Sequence, residues 1–190
     1  MLQFLKRSRQ QQPELSEEIE QIGIYGDIDE RRTAEIIDFF LAATRIRLQE
    51  DRCSIPIRLF LSTHGGFAEE MFAIYDVLRL IQKEGIQIHT YGVGKVMSSG
   101  VLLFAAGDRR FIGANCRTML HDVSGGGEGS VDDMEAAFKE ACWLRNRYIE
   151  CLSIETHMSK EKIKKMMEKP SNVYFDAKKA VQYGIADEIF

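Results

Sequence analysis

Two adjacent serines, Ser98 and Ser99, stand in GVGKVMSSGVLLFAAGD, residues 92–108, between a glycine-punctuated segment and an abrupt apolar run. A hydroxyl at such a boundary has two uses. It can cap a helix by accepting early backbone N–H groups, or, with a base beside it, it can attack an electrophilic carbon. His121, at the end of RTMLH, offers that base: an imidazole is the side chain best matched to exchanging a proton with a hydroxyl near neutral pH. A second polar boundary, THGGF at residues 63–67, also precedes a helical pattern, and there Gly65 and Gly66 permit close backbone approach. N–H groups at such helix starts carry partial positive charge, so they can stabilise an oxyanion that develops only during acyl transfer. The pattern is not the G-x-S-x-G nucleophile elbow, because residue 96 is valine. Two further side chains have ordinary structural readings: His64 as a turn residue, and Lys95 as a solvent-facing lysine at a strand end rather than the base of a Ser-Lys dyad.

These residues need elements to position them, and the chain supplies a repeated strand-then-helix pattern. IGIYGDI reads as a strand, with Asp29 capping the helix RRTAEIIDFFLAATRIRL. IRLFLS is the next strand, THGG a tight turn, and FAEEMFAIYDVLRLIQKE a helix with Phe72, Tyr75, Leu78 and Leu80 near one face. IQIHTYGVG leads into SSGVLLFAAG, a helix apolar enough to be buried on nearly all sides. RTMLHDV is a fourth strand, followed by SGGGEGS and a long helix from about Asp132 to about Glu155. That helix carries Met134, Phe138, Ala141, Arg145, Tyr148 and Leu152 at helical spacing, a mostly apolar stripe of which part is available to another subunit. A basic helix, a turn, a short helix and a strand-like end complete the chain. The alternation predicts an α/β fold with largely parallel strands and right-handed crossovers, and active groups gathered where strands end and helices begin.

Composition narrows the classes. The 190 residues suit one domain, residues 21–190, behind a polar arm at residues 1–20. With 25 basic against 29 acidic residues the formal charge is -4, which gives phosphate backbones no general attraction, so nucleic acid is not an expected partner. No apolar run reaches membrane-spanning length. Cys53, Cys116, Cys142 and Cys151 form no CxxC pair and read as free thiols in segments of strand or helix, suited to a reducing compartment such as the cytoplasm. No metal or organic cofactor is expected.

Taken together and in order, YGDI, LSTHGGFAEEMFAIYD, GKVMSSGVLLFAAGDRRF, RTMLHDVSGGGEGS and AKKAVQYGIADEI resemble the proteolytic subunit of the Clp protease, the ClpP family, from about Ile22 to the end. The resemblance implies a crotonase-like spiral of βα units with a protruding strand-helix handle. It also implies a serine endopeptidase site and a homo-oligomer of stacked rings enclosing a chamber for polypeptide substrates, fed by an ATP-driven unfoldase. Residue by residue it puts the nucleophile at Ser98, the base at His121, the third triad member at Asn172, the oxyanion donors at the backbone N–H groups of Gly66 and Ser99, and substrate-binding backbone at Gly125, Gly126 and Gly127. Asn172 stands where the family has aspartate, Ser99 where it usually has methionine and His64 where it usually has proline. The N-terminal arm lacks the family's pore-loop and docking sequence.

An asparagine carbonyl can accept the Nδ1–H bond and hold the tautomer, but it brings no charge to stabilise imidazolium, so activity is expected to be low. Two other readings follow from that. One is a weakly active or non-catalytic ring subunit that regulates a paralogous one; the other is a crotonase-type enzyme acting on acyl-CoA, which shares the two-amide oxyanion logic without needing the serine and histidine.

Overall fold

The computed structural model describes residues 20–124, 128–168 and 171–190. The proposed arm up to residue 19, and Gly125, Gly126 and Gly127, lie outside the described residues. β1 (Gln21–Ile28), β2 (Ile57–Gly66) and β3 (Ile88–Met97) are parallel neighbours, and β4 (Arg109–Ile112) and β7 (Glu188–Ile189) continue the sheet in the order β1-β2-β3-β4-β7. Between the first strands run α1 (Glu30–Glu50) and α2 (Ala68–Lys83), and α3 (Ser99–Ala105) follows β3.

Alternation explains how the sheet buries one face: in β2, Ile57, Leu59, Leu61, Thr63 and Gly65 are buried while the residues between them are not. α3 is buried at every residue, as its unbroken apolar run predicts. Asp29 caps α1, its carboxylate accepting the Arg32 N–H at 2.8 Å. Near the other end of α1 Arg47 is only 2 % exposed. Its guanidinium donates to the carbonyl of Ile55 and pairs with Glu20, an arrangement that satisfies a buried charge.

The path of β3 matters most for function. Its first half pairs with β4, His89 through Gly92 against Arg109 through Ile112; its last residues pair instead with β5 (Arg117–Leu120), with Met97 opposite Met119. β3 therefore changes partner along its length, and the exchange delivers the ends of β3 and β5 to one place. β6 (Val173–Phe175) lies antiparallel to β5, with Val173 opposite Leu120. α4 (Val131–Glu155) begins with a capping box between Ser130 and Asp133. It has two unlike halves: Met134 and Phe138 are exposed, the latter 70 %, whereas Leu144, Tyr148 and Leu152 are buried. α5 (Lys160–Met167) and α6 (Ala177–Gln182) close the chain.

Several expectations are corrected. THGG is the end of β2, not a tight turn, because Asp27 and Ile28 pair with Gly65 and Gly66. Leu80 is 52 % exposed; the buried face of α2 is Met71, Ile74, Tyr75, Leu78 and Ile81, which follows the helical period more closely. β4 and β6 were not anticipated. All four cysteines are free, but Cys53 lies in a turn and Cys116 just ahead of β5, not within strands or helices.

Candidate active site

Ser98 is the residue between β3 and α3, and its backbone sits at φ 55, ψ -127, a region that L side chains seldom adopt. Its hydroxyl makes no helix-capping bond. Instead Oγ lies 2.8 Å from Nε2 of His121, one residue past the end of β5. The strand exchange accounts for that meeting: the Ser98 N–H donates to the Met119 carbonyl at 2.8 Å, which extends the β3–β5 pairing by one step and leaves Ser98 and His121 side by side.

The first polar boundary packs directly against the second. Gly65 has φ +105, and a Cβ there would come within 2.6 Å of the Ser98 Cβ. At Gly66 a Cβ would meet the Ile28 carbonyl oxygen at 2.1 Å, so only glycine fits. The Ser99 hydroxyl donates to the Gly66 carbonyl at 3.3 Å, joining the two backbone segments carrying the candidate oxyanion donors. Ser99 thus supplies a side-chain tie between the two segments, which the sequence did not signal.

These groups open into a groove of about 1050 Å³. Phe67, Met71, Met134, Phe138 and Leu144 make its apolar wall, and Asp27, Glu69, Asp122 and Glu140 supply carboxylates, with no lysine or arginine among its described lining residues. His64 is exposed and lines the groove; Lys95 does not line it and instead pairs in register with Arg117 on β5. Among the described residues no group of three or more His, Cys, Asp or Glu is placed to hold a metal ion, and no helix is long and apolar enough to cross a membrane.

Asn172 immediately precedes Val173, whose partner is Leu120, so the antiparallel register carries it toward His121. The structure does not join them. The Asn172 amide nitrogen is 3.5 Å from the Tyr174 hydroxyl, and no hydrogen bond links it to His121 among the described residues.

One contact escaped the sequence. Tyr148 of α4, 6 % exposed, donates its hydroxyl to the Ser98 carbonyl at 2.9 Å, and burial pushes its phenol far above the usual tyrosine range, keeping it a neutral donor. The available signal was a tyrosine in an otherwise apolar stripe, since a buried phenol must find a partner.

The sequence model of the Clp protease family matches residues 8–190. ATP-dependent Clp protease proteolytic subunit 1 of Salinibacter ruber is 30% identical over 149 residues, covering 77% of this chain and 62% of that protein, which is less than two thirds of its length. Proteolytic subunit 2 of Pseudomonas aeruginosa is 28% identical over 173 residues, 90% of this chain and 81% of that protein. Among solved structures, an asparagine-to-aspartate mutant of ClpP1 from Listeria monocytogenes superposes with a TM-score of 0.74 at 26% identity, covering 90% of each chain.

Proposed function

The chain belongs to the Clp protease family and has the ClpP-type α/β fold, and on that premise we propose that it hydrolyses peptide bonds as a serine endopeptidase subunit, with Ser98 as nucleophile and His121 as general base. The observation that carries the reading is the 2.8 Å contact between Ser98 Oγ and His121 Nε2 at the floor of a groove, with the serine held in strained backbone. As Ser98 Oγ attacks the peptide carbonyl, His121 Nε2 takes its proton and passes it to the leaving amine; water then enters by the reverse path and releases the acyl group. The N–H groups of Gly66 and Ser99 hold the tetrahedral oxyanion. Gly125, Gly126 and Gly127 supply backbone for an extended substrate. No cofactor takes part in this scheme.

Asn172 takes the third position. In the structure its amide is turned to Tyr174, so His121 works with a dipole at most and turnover is low. The same observation favours a second reading, a weakly active subunit that shapes an assembly around a competent paralogue. Phe138 and Met134, exposed on the N-terminal half of α4, support stacked rings of this chain, since subunit packing would cover their apolar surface. The relatives are named as subunits of an ATP-dependent protease, which supports an ATP-driven unfoldase as the partner that would deliver polypeptide to such an assembly, with the cytoplasm as its proposed compartment.

The test is reaction of the assembled protein with a fluorophosphonate, followed by mapping of the modified residue. Labelling at Ser98 that Ser98→Ala removes is the expected result; well-folded protein that takes no label overturns the peptidase reading in favour of the structural subunit.

A further inference from the structure

We propose that Tyr148 is a positioning residue that aims the oxyanion-binding N–H of Ser99 by holding the other end of the same peptide group. The proposal rests on the peptidase reading and adds to it a residue outside the triad and the oxyanion donors. A trans peptide is planar, so the carbonyl of Ser98 and the N–H of Ser99 are fixed in opposite directions. Whatever orients the carbonyl orients the N–H. That plane starts from an unfavourable backbone, because Ser98 at φ 55, ψ -127 relaxes by rotating about its own bonds, and such rotation swings the peptide between residues 98 and 99.

Three hydrogen bonds oppose the rotation. The Ser98 N–H is held by the Met119 carbonyl at 2.8 Å, and the Ser98 carbonyl accepts from Val101 N–H at 2.9 Å and from the Tyr148 hydroxyl at 2.9 Å. Val101 belongs to α3 and moves with it, so its bond fixes the carbonyl only relative to that helix. Tyr148 comes from α4, a separate element packed against α3, and is the contact that refers the carbonyl to the rest of the fold. The hydroxyl is buried beside the groove, where no bulk water substitutes for it if it is lost.

The experiment compares wild type and Tyr148→Phe, both as assembled protein, for hydrolysis of a short acyl peptide and for inhibition by a peptide boronic acid, whose tetrahedral adduct occupies the oxyanion site. The expected result is a kcat lower by about tenfold with KM within about twofold, a similar loss of boronate affinity, and a pH–rate profile lowered evenly without moving its limbs. The upper scale is the roughly 10²–10³-fold cost of removing an oxyanion donor outright. A general loosening of α4 is separated by Ile149→Val, a buried position outside the groove, which keeps kcat and boronate affinity within about twofold. If Tyr148→Phe does not assemble, Tyr148→Met removes the same hydroxyl from a flexible side chain of similar reach and takes its place. Wild-type kinetics and boronate affinity in a hydroxyl-free variant overturn the proposal alone. Wild-type protein that neither hydrolyses the peptide nor labels at Ser98 overturns it together with the peptidase reading.

Discussion

Ser98 and Asn172, the two residues proposed to flank His121, are of very different construction. Toward Ser98, the ring meets a residue enclosed by the sheet: Gly65 leaves no room for a Cβ, Met119 and Tyr148 hold the Ser98 backbone at both ends, and α3 behind it is buried at every position. Asn172, by contrast, stands at the end of a three-residue edge strand, where its side chain is exposed and turned to Tyr174. The nucleophile's geometry is imposed by packing, which tolerates little change; the third position is set by a solvent-facing edge, where a substitution costs the fold almost nothing. An asparagine can therefore stand at that edge without disturbing the rest of the site.

The largest effect expected on the packed side is from Ser98→Ala, which should lower peptide hydrolysis by at least about 10³-fold while leaving the thermal midpoint and assembly intact. Residual turnover near wild type would mean that the 2.8 Å contact has no catalytic use. On the open side, Asn172→Asp should raise kcat by about 10- to 10²-fold in a steady-state assay. A carboxylate near His121 favours the imidazolium, so the acid limb of the pH–rate profile should move to higher pH. An unchanged profile would show that the edge does not communicate with the ring. Gly65→Ala tests the tightness of the packed side through stability: a Cβ 2.6 Å from that of Ser98, at φ +105, should cost about 2 kcal/mol and lower the melting temperature by about 4–8 °C. A melting temperature within a degree of wild type would show that the junction yields.

The smallest effect concerns a second edge. Burial works against ionisation of Asp187, but hydrogen bonds and the charge of Arg110 outweigh it and hold the carboxyl below the usual range, tying β4 to the residue before β7. A depressed folded-state value adds stability above the unfolded-state value, near pH 4, and that stability is lost as pH falls through the folded one. Melting curves in acid should show wild type losing this increment while Asp187→Asn, lacking it throughout, depends less on pH; half-exposure keeps the difference to a degree or two. Parallel curves would remove the pair from the account.

What the sequence disclosed follows the same division. The βα repeat and the buried α3 rest on apolar periodicity and helix boundaries, which are local signals, and both are present; the Ser98 and His121 roles come from the family resemblance, and the contact between the two side chains depends on the β3–β5 pairing. β4 and β6 were hidden because RRFI and VYF are too short and too polar at their edges to announce a strand; pairing with β3 and β5 makes them strands. THGG carried a turn's composition, but register against Asp27 and Ile28 draws it into β2. The burial of Arg47 depends on Glu20 and the Ile55 carbonyl, distant in the chain or outside its helix. Tyr148 had the right spacing for a core position, but nothing local says where its hydroxyl points.

The burial of the cysteines has a practical consequence for reagent chemistry. Cys116, 1 % exposed, has its thiol pushed up to about 11 by burial, and Cys151, equally buried, is raised as well. At neutral pH only about one Cys116 in 10⁴ is then a thiolate, and the thiolate is the form that alkylating agents and oxidants attack. A protein handled in air or treated with iodoacetamide should therefore keep these two buried sulfurs unmodified, so electrophiles that spare thiols and those that seek them report on separate parts of the molecule.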